Sequence, residues 1–406
     1  MSSLFYLPKI DYHLFHIAPV FFLGFANIIF IKKIFDKKNY EENNFIRYLN
    51  LLFFIFFNIF FYRLAEHGTD RSAMIIIVIL VLDLLLILNN NLNPIKNKNQ
   101  IYLLIILLSL AASLKAFYII YFVFGIPIIL YLKTKENFLL FALSRTTLAA
   151  CILIFFVLLT NFFNTGCFLF PETLTCVYQV DWSLSENLVN ELKIHYENWS
   201  KGGANPNFKV NDPSLHIKNF NWLSIWINEY FFNKVFDLLL GLITIVFIFC
   251  ILFIRKKNII ISRNFYLVYL IIFILFIEWF LVHPALRYGG YHLLALLIFI
   301  PLSIILERFS FNVKQFDKKI YFIIFLAIII FLSRNISRIS NENDRYSYNP
   351  YEDTNYLINE TTFKIADEMS DLIKEFENCK IDESKCKKNS QSKIKKRFNR
   401  YIFILK

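Results

Sequence analysis

FLLFALSRTTLAACILIFFVLLTNFF (Phe138–Phe163) and IIISRNFYLVYLIIFILFIEWFLV (Ile259–Val282) decide the fold class. The first carries a single charge, Arg145, and the second only Arg263 and Glu278. A helix needs about 20 apolar residues to cross a hydrocarbon core. Only a helix or a closed barrel satisfies its own backbone hydrogen bonds there. Neither stretch alternates as a barrel strand does, so both are helices.

Similar runs lie at residues 12–31, 45–62, 73–89, 101–114, 116–132, 233–254, 290–306 and 320–333. The expected fold is an all-α polytopic membrane protein of about ten transmembrane helices. It divides into N-terminal spans (1–163), a large outer loop (164–232), C-terminal spans (233–333) and a soluble tail (334–406). Composition agrees: 57% of the 406 residues are hydrophobic, mean hydropathy is +0.50, and 48 Phe stand against 9 Gly, which excludes a soluble domain. The net charge of +12 does not point to nucleic acid. Lys, Asn, Ile, Phe and Tyr rise together, as AT-rich coding DNA produces, and the basic residues sit in short connections between spans.

Those connections orient the chain. Lys32, Lys33, Lys37, Lys38 and Arg47 occupy one, Lys96 and Lys98 another, and Lys133 and Lys135 a third. Arg255, Lys256, Lys257 and Arg263, then Arg308, Lys314, Lys318 and Lys319, continue the series. The opposite connections hold Arg63, Arg71, Lys115 and Arg287, so the positive-inside rule puts the first set in the cytoplasm. Reading 101–132 as a hairpin turning at Lys115, rather than one long tilted helix, keeps every later basic connection inside. The chain then starts outside, with Met1–Lys9 as a short stub. This leads us to expect either an unusual beginning or a missing upstream span and outer loop.

Within the tail, Phe363, Ala366, Met369, Ile373 and Phe376 recur at helical spacing and predict an amphipathic helix. A basic stretch from Lys385 follows and ends in YIFIL. Cys167 with Cys176, and Cys379 with Cys386, are disulfide candidates that close short loops on the outer side. Cys151 and Cys250 lie within spans. No cofactor motif or metal motif is present, and CKIDESKC lacks a His or second pair to complete a zinc site.

Charges at a membrane boundary are functional candidates because holding them there costs free energy. RLAEHGTDR (Arg63–Arg71) supplies Glu66, His67 and Asp70, and Asp83 lies further along the next helix. Lys115 marks the hairpin tip, NFFNTGCFLFP (Asn161–Pro171) brings Asn164, and EWFLVHPALRYGGYH (Glu278–His292) brings Arg287 and Tyr288. Each also has a structural reading. Asp70 can cap a helix, Asp83 can satisfy a polar neighbour, Lys115 can snorkel, and Arg287 can pair with Glu278. Together, cations gathered at the outer face suit an anionic lipid head such as a phosphate or pyrophosphate, which Arg binds bidentately. A carboxylate beside them suits a general base toward a hydroxyl acceptor.

Four segments resemble, in order, those of the GT-C class of integral-membrane glycosyltransferases. They are HGTDRSAMIIIVIL (His67–Leu80), SLAASLKAFYIIYFVFGIPIIL (Ser109–Leu130), LLTNFFNTGCFLFP (Leu158–Pro171) and HPALRYGGYHLLALLIFIP (His283–Pro301). The resemblance covers about residues 45–305. It implies a multi-pass enzyme of the bacterial inner (cytoplasmic) membrane, moving a sugar from a polyprenyl-phosphate donor to an envelope glycan or lipid acceptor. Arg287 would hold the donor phosphate, Tyr288 would shape its pocket, and Lys115 would be a second phosphate ligand. The class usually carries its catalytic Asp in a first outer loop after an initial span, and neither is present here. Asp70, Glu66 or Asp11 would then substitute as base, with His67 assisting proton transfer. The absence of a glycine-rich nucleotide loop fits a lipid-linked donor. A transporter or flippase of lipid-linked sugars, a polysaccharide polymerase or ligase, and a non-catalytic scaffold of envelope assembly are the rival readings.

Overall fold

The computed structural model describes residues 17–36, 44–63, 69–89, 93–95, 97–134, 137–180, 182–205, 208–254, 265–309, 313–346, 374, 378, 392–397 and 400–405. Along the chain run α1 (Ile17–Phe35), α2 (Asn44–Phe60), α3 (Asp70–Asn89) and α4 (Lys98–Leu114), then a 3-10 helix (Ala116–Phe124) leading into α5 (Gly125–Thr134). Next come α6 (Phe138–Ala142), α7 (Arg145–Thr165), α8 (Glu186–Lys201), α9 (Pro213–Ile217) and α10 (Leu223–Phe253), with a π-helical stretch at Ile227–Val235 inside α10. After α11 (Tyr266–Val282) follow a 3-10 turn (Leu286–Tyr288), α12 (Gly290–Glu307) and α13 (Val313–Tyr346).

Six of these helical segments are long and apolar enough to cross a membrane: α3, Ala116–Thr134, α7, α10, α12 and the Phe316–Arg345 part of α13. α2, α4 and α11 are shorter apolar helices. The chain is a multi-pass helical membrane protein. One element departs from an all-α fold. The basic C-terminal stretch forms an antiparallel hairpin, β1 (Ser392–Arg397) on β2 (Arg400–Leu405), with Arg397 opposite Arg400.

α2 is the hub, because Phe45 to Asn58 are all buried, with Phe and Leu on a wide apolar side and Arg47, Asn50 and Asn58 on the other. Its rings interlock with the neighbours that enclose it. Phe53 meets Phe299 edge-on at 5.3 Å, Tyr48 meets Phe316 at 5.3 Å, and Phe57 stacks near Phe30 at 5.8 Å. Such aromatic pairs add about 0.5–1.5 kcal/mol each beyond their buried area.

Polar contacts fix the ends of the bundle. At one end Lys33 of α1 pairs with Asp83 of α3, and buried Arg47 of α2 reaches Asp317 of α13 at 3.0 Å and the Ile34 carbonyl at 2.9 Å. The Phe45 amide donates to Glu307 at 3.3 Å, so α12 finishes where α2 begins. The other end gathers Asp70, Lys115 and Arg287, with Tyr62 and Arg334 in contact nearby. Asp83 thus has the structural role of satisfying a partly buried lysine.

The hairpin at Lys115 is present. Lys115 stands beside Asp70 and breaks the helix in an extended conformation, whereas Phe141, just past α5, packs at 5.3 Å on Tyr102 near the opposite end of α4. Residues 116–134 therefore run back along α4. Other boundaries differ from expectation. The run Phe138–Phe163 divides at Ser144, whose hydroxyl accepts the Thr147 amide at 3.2 Å as a helix N-cap. α10 starts at Leu223, inside the stretch expected as loop, because Trp226 and Tyr230 give its polar-looking first turns a buried aromatic face. α13 likewise runs on to Tyr346, beyond the expected start of the tail at residue 334. The predicted amphipathic stretch Phe363–Phe376 lies outside the described residues, Lys374 aside.

Candidate active site

Three elements far apart in sequence meet at the Asp70 end of the bundle. Asp70 occupies the first turn of α3 and is 8% exposed. The Thr69 hydroxyl donates to the Leu114 carbonyl at 2.7 Å, which fastens the tip of the α4 hairpin against the start of α3. Lys115, next in the chain, pairs with Asp70 Oδ1. Arg287 approaches from the 3-10 turn before α12 and donates from Nη2 and Nε to Asp70 Oδ2 at 2.9 and 3.2 Å. One carboxylate faces two cations, so the cluster keeps a net positive charge.

Glycine sets the arginine's turn. Gly289 has φ +127°, and a Cβ there would come within 2.9 Å of the Tyr121 hydroxyl. A Cβ on Gly290 would stand 2.3 Å from the Trp279 ring. Buried hydrogen bonds hold the preceding residues. The Ala285 amide donates to Ser200 Oγ at 3.1 Å, the Leu286 amide to Tyr230 Oη at 2.8 Å, and Trp226 Nε1 to the Pro284 carbonyl at 3.0 Å. The segment is thus anchored to both α8 and α10.

Aromatic rings cover the cations. Lys115 Nζ lies 4.5 Å from the centre of the Tyr288 ring, and the Arg287 guanidinium 5.8 Å from Trp199 and 5.9 Å from Tyr288. Cation–π contacts of this kind contribute about 0.5–2 kcal/mol. Burial pushes the Lys115 amine down, an effect the Asp70 charge partly offsets. Burial also works against the Arg287 cation, but Asp70 outweighs it and the guanidinium ends above its ordinary value. The Arg287 side chain remains 51% exposed, open to a further anion.

Beside the cluster is a cavity of about 510 Å³. Lys115, Phe117, Ile120, Pro171, Glu278 and His283 contribute to its wall, and α8 closes it with Lys193, Tyr196 and Glu197. Lys193 pairs with Glu172 at 2.7 Å across the loop. Glu278 Oε2 is buried and receives no hydrogen bond among the described residues, and neither does His283 Nδ1. Burial pushes the His283 imidazole down to about 4, despite the nearby Glu197 carboxylate, so the ring is neutral at physiological pH. A lining of this kind, apolar with a few convergent polar groups, is that of a small-molecule site.

Asp70, Lys115, Arg287 and Tyr288 are therefore brought together as one cluster. Arg287 pairs with Asp70, not with Glu278, the alternative partner near the end of α11. Asn164 is exposed at the end of α7 and does not line the cavity, although Leu169 to Pro171 of the same segment do. Glu66, His67 and Asp11 lie outside the described residues. Cys167 and Cys176 are disulfide-bonded, while Cys379 and Cys386 lie outside the described residues. Sequence reasoning gives no cavity role to Glu278, His283, Lys193 or Glu197. The signal for the α8 pair is the amphipathic stretch ENLVNELKIHYENWSK, which places Lys193 and Glu197 one helical turn apart.

Residues 1–294 match the model of a family described as a domain of unknown function, DUF8201, and the chain belongs to that family. The match spans every residue of the cluster and the cavity wall. No curated protein and no solved structure matches the chain.

Proposed function

We propose that this DUF8201 protein is a membrane glycosyltransferase that moves a sugar from a lipid-linked phosphate donor to a glycan or lipid acceptor on the outer face of the membrane. The observation that supports this reading is the joining of Lys115 and Arg287 on Asp70, at the edge of a cavity that Glu278 also lines. Three of the four GT-C-like segments supply Asp70, Lys115 and Arg287, and the fold converges them. With α1 and the three shorter apolar helices counted as spans, the chain makes about ten passes. The basic residues Lys32, Lys33 and Arg47 at the opposite end orient the cluster outward by the positive-inside rule.

In this reading Asp70 is a positioning residue. Its two oxygens hold the cations, so that the guanidinium fork of Arg287 and the amine of Lys115 meet the donor phosphate. Glu278 accepts the proton of the acceptor hydroxyl as that oxygen bonds to the sugar's anomeric carbon. The bond from that carbon to the phosphate oxygen breaks, and the negative charge developing on the leaving phosphate is stabilised by Arg287 and Lys115. The aromatic walls seat the apolar start of the lipid and exclude water.

The test is turnover of a radiolabelled polyprenyl-phosphate sugar by the purified chain in lipid, for the unaltered protein and for Arg287→Ala. Loss of donor use by a variant that still inserts and folds supports the reading, and unchanged turnover removes it. The same salt bridge also suits a non-catalytic scaffold, for which Arg287→Ala would lower stability with no turnover in either protein.

A further inference from the structure

A second basic surface lies at the same end of the bundle, away from the cavity. Tyr62 and Arg63, after α2, and Arg334, Arg338, Glu342 and Arg345, on α13, line a groove of about 540 Å³. Positions 334, 338, 342 and 345 recur at helical spacing, so α13 turns one charged face to the groove. Among the described lining residues four arginines stand against one glutamate. Arg334 fixes its position: its guanidinium sits 3.8 Å from the centre of the Tyr62 ring, and Nη1 donates to the Ile59 carbonyl at 2.6 Å. Arg63 Nε donates to Tyr62 Oη at 3.2 Å, and Arg338 pairs with Glu342 at 2.8 Å.

This basic groove does not end in solvent on all sides. A neighbouring groove of about 630 Å³ on α13 shares Ser333, Ser337 and Asn341 with it and continues over Ile329, Leu332 and Ile336, which are exposed. A charged compartment thus runs into an apolar one along a single helix, where that helix passes from its membrane-spanning part to its polar end. A soluble anion would engage the arginines alone. An amphiphile uses both.

We propose that this double groove binds a phosphate-headed membrane lipid, its head between Arg338 and Arg345 and its chain over Ile329 and Leu332. Arginine forks match phosphate oxygens, and the apolar floor matches the first segment of an acyl or prenyl chain. The groove shares no lining residue with the cavity beside Asp70, so the site is independent of the glycosyltransferase reading. One link ties it to the cluster at Asp70: Arg71, the next residue, donates to the Arg63 carbonyl.

The experiment is native mass spectrometry of the full chain released from nanodiscs containing equal phosphatidic acid and phosphatidylcholine. The unaltered protein is expected to retain phosphatidic acid selectively. The Arg338→Ala and Arg345→Ala variants, which leave Arg334 on Tyr62, should each weaken retention about tenfold, equivalent to about 1.4 kcal/mol. Excess inorganic phosphate should not displace the lipid. Equal retention of the two lipids, or unchanged retention in both variants, overturns the proposal. Displacement by inorganic phosphate alone also overturns it, in favour of a soluble anion. The lipid comparison on the unaltered chain separates these outcomes even where a variant fails to fold.

Discussion

Arg287 Nη2 stands 2.9 Å from Asp70 Oδ2, although 217 residues separate them in sequence. The contact joins the start of α3, in the N-terminal spans, to the turn before α12, in the C-terminal spans, and Lys115 closes the same carboxylate from the other side. Asp70 is buried and Arg287 is half exposed, so the carboxylate is the member that cannot lose its partners cheaply.

Asp70→Asn should therefore lower stability more than Arg287→Met does, because it leaves a partly buried lysine and an arginine facing each other without a counter-charge. A double-mutant cycle read by unfolding temperature should give a coupling of about 0.5–3 kcal/mol between the two positions. Strict additivity would mean that the pair contributes nothing to the fold.

Glu278→Gln keeps the size of the side chain and removes its capacity to take a proton. Under the proposed chemistry turnover should fall about 10²- to 10⁴-fold, with donor affinity little changed. Undiminished turnover would withdraw the base role from Glu278 and return it to the acids of the Arg63–Arg71 loop.

The His283 imidazole titrates at about 4 in the fold and near its ordinary 6.5 when unfolded. Between these values the unfolded chain binds the extra proton, so stability is full above pH 6.5 and declines as the pH falls toward 4. The slope from this one group is at most about 1.4 kcal/mol per pH unit. Denaturation midpoints for the unaltered chain and His283→Phe should diverge on acidification. Parallel pH curves would show that His283 stays neutral in both states or gains a partner on protonation.

Gly289 sits at φ +127° against the Tyr121 hydroxyl, a backbone region that L side chains rarely adopt. Gly289→Ala should cost about 1–3 kcal/mol and shift Arg287 away from Asp70. Circular-dichroism melts give the stability loss. A variant as stable as the parent would show that the turn relaxes without strain.

The cations are legible in the sequence because a charge at a membrane boundary is costly and stands out in an apolar background. Asp70, Lys115 and Arg287 are recognisable as ends of spans, and the hairpin at Lys115 follows from charge parity alone. Pairing is not legible. Whether Arg287 takes Glu278 or Asp70 depends on the Gly289–Gly290 turn and on anchors from Ser200 and Tyr230, which sequence distance hides. Helix ends escape a hydropathy reading where hydropathy falls before the helix does. Leu223 to Tyr230 and Arg334 to Tyr346 read as loop and tail because polar residues interrupt the apolar run while the backbone continues as helix. The arginine groove is hidden for the same reason, since Arg334, Arg338 and Arg345 read as part of the soluble tail.

The pairing of Lys33 with Asp83 bears on how the chain enters the bilayer. Asp83 lies thirteen residues along α3 from Asp70, about 20 Å down the helix axis, among Leu82, Leu84 and Leu85. An unaccompanied carboxylate in a span costs up to about 2.5–3.5 kcal/mol, a cost that the Ile, Leu and Val residues of α3 outweigh but that stays in place until a cation pairs with Asp83. Lys33 removes that penalty only when α1 is already alongside. A Lys33→Ala chain should therefore leave the Asp83 end of α3 more accessible to aqueous thiol reagents, read from a cysteine placed near Asp83.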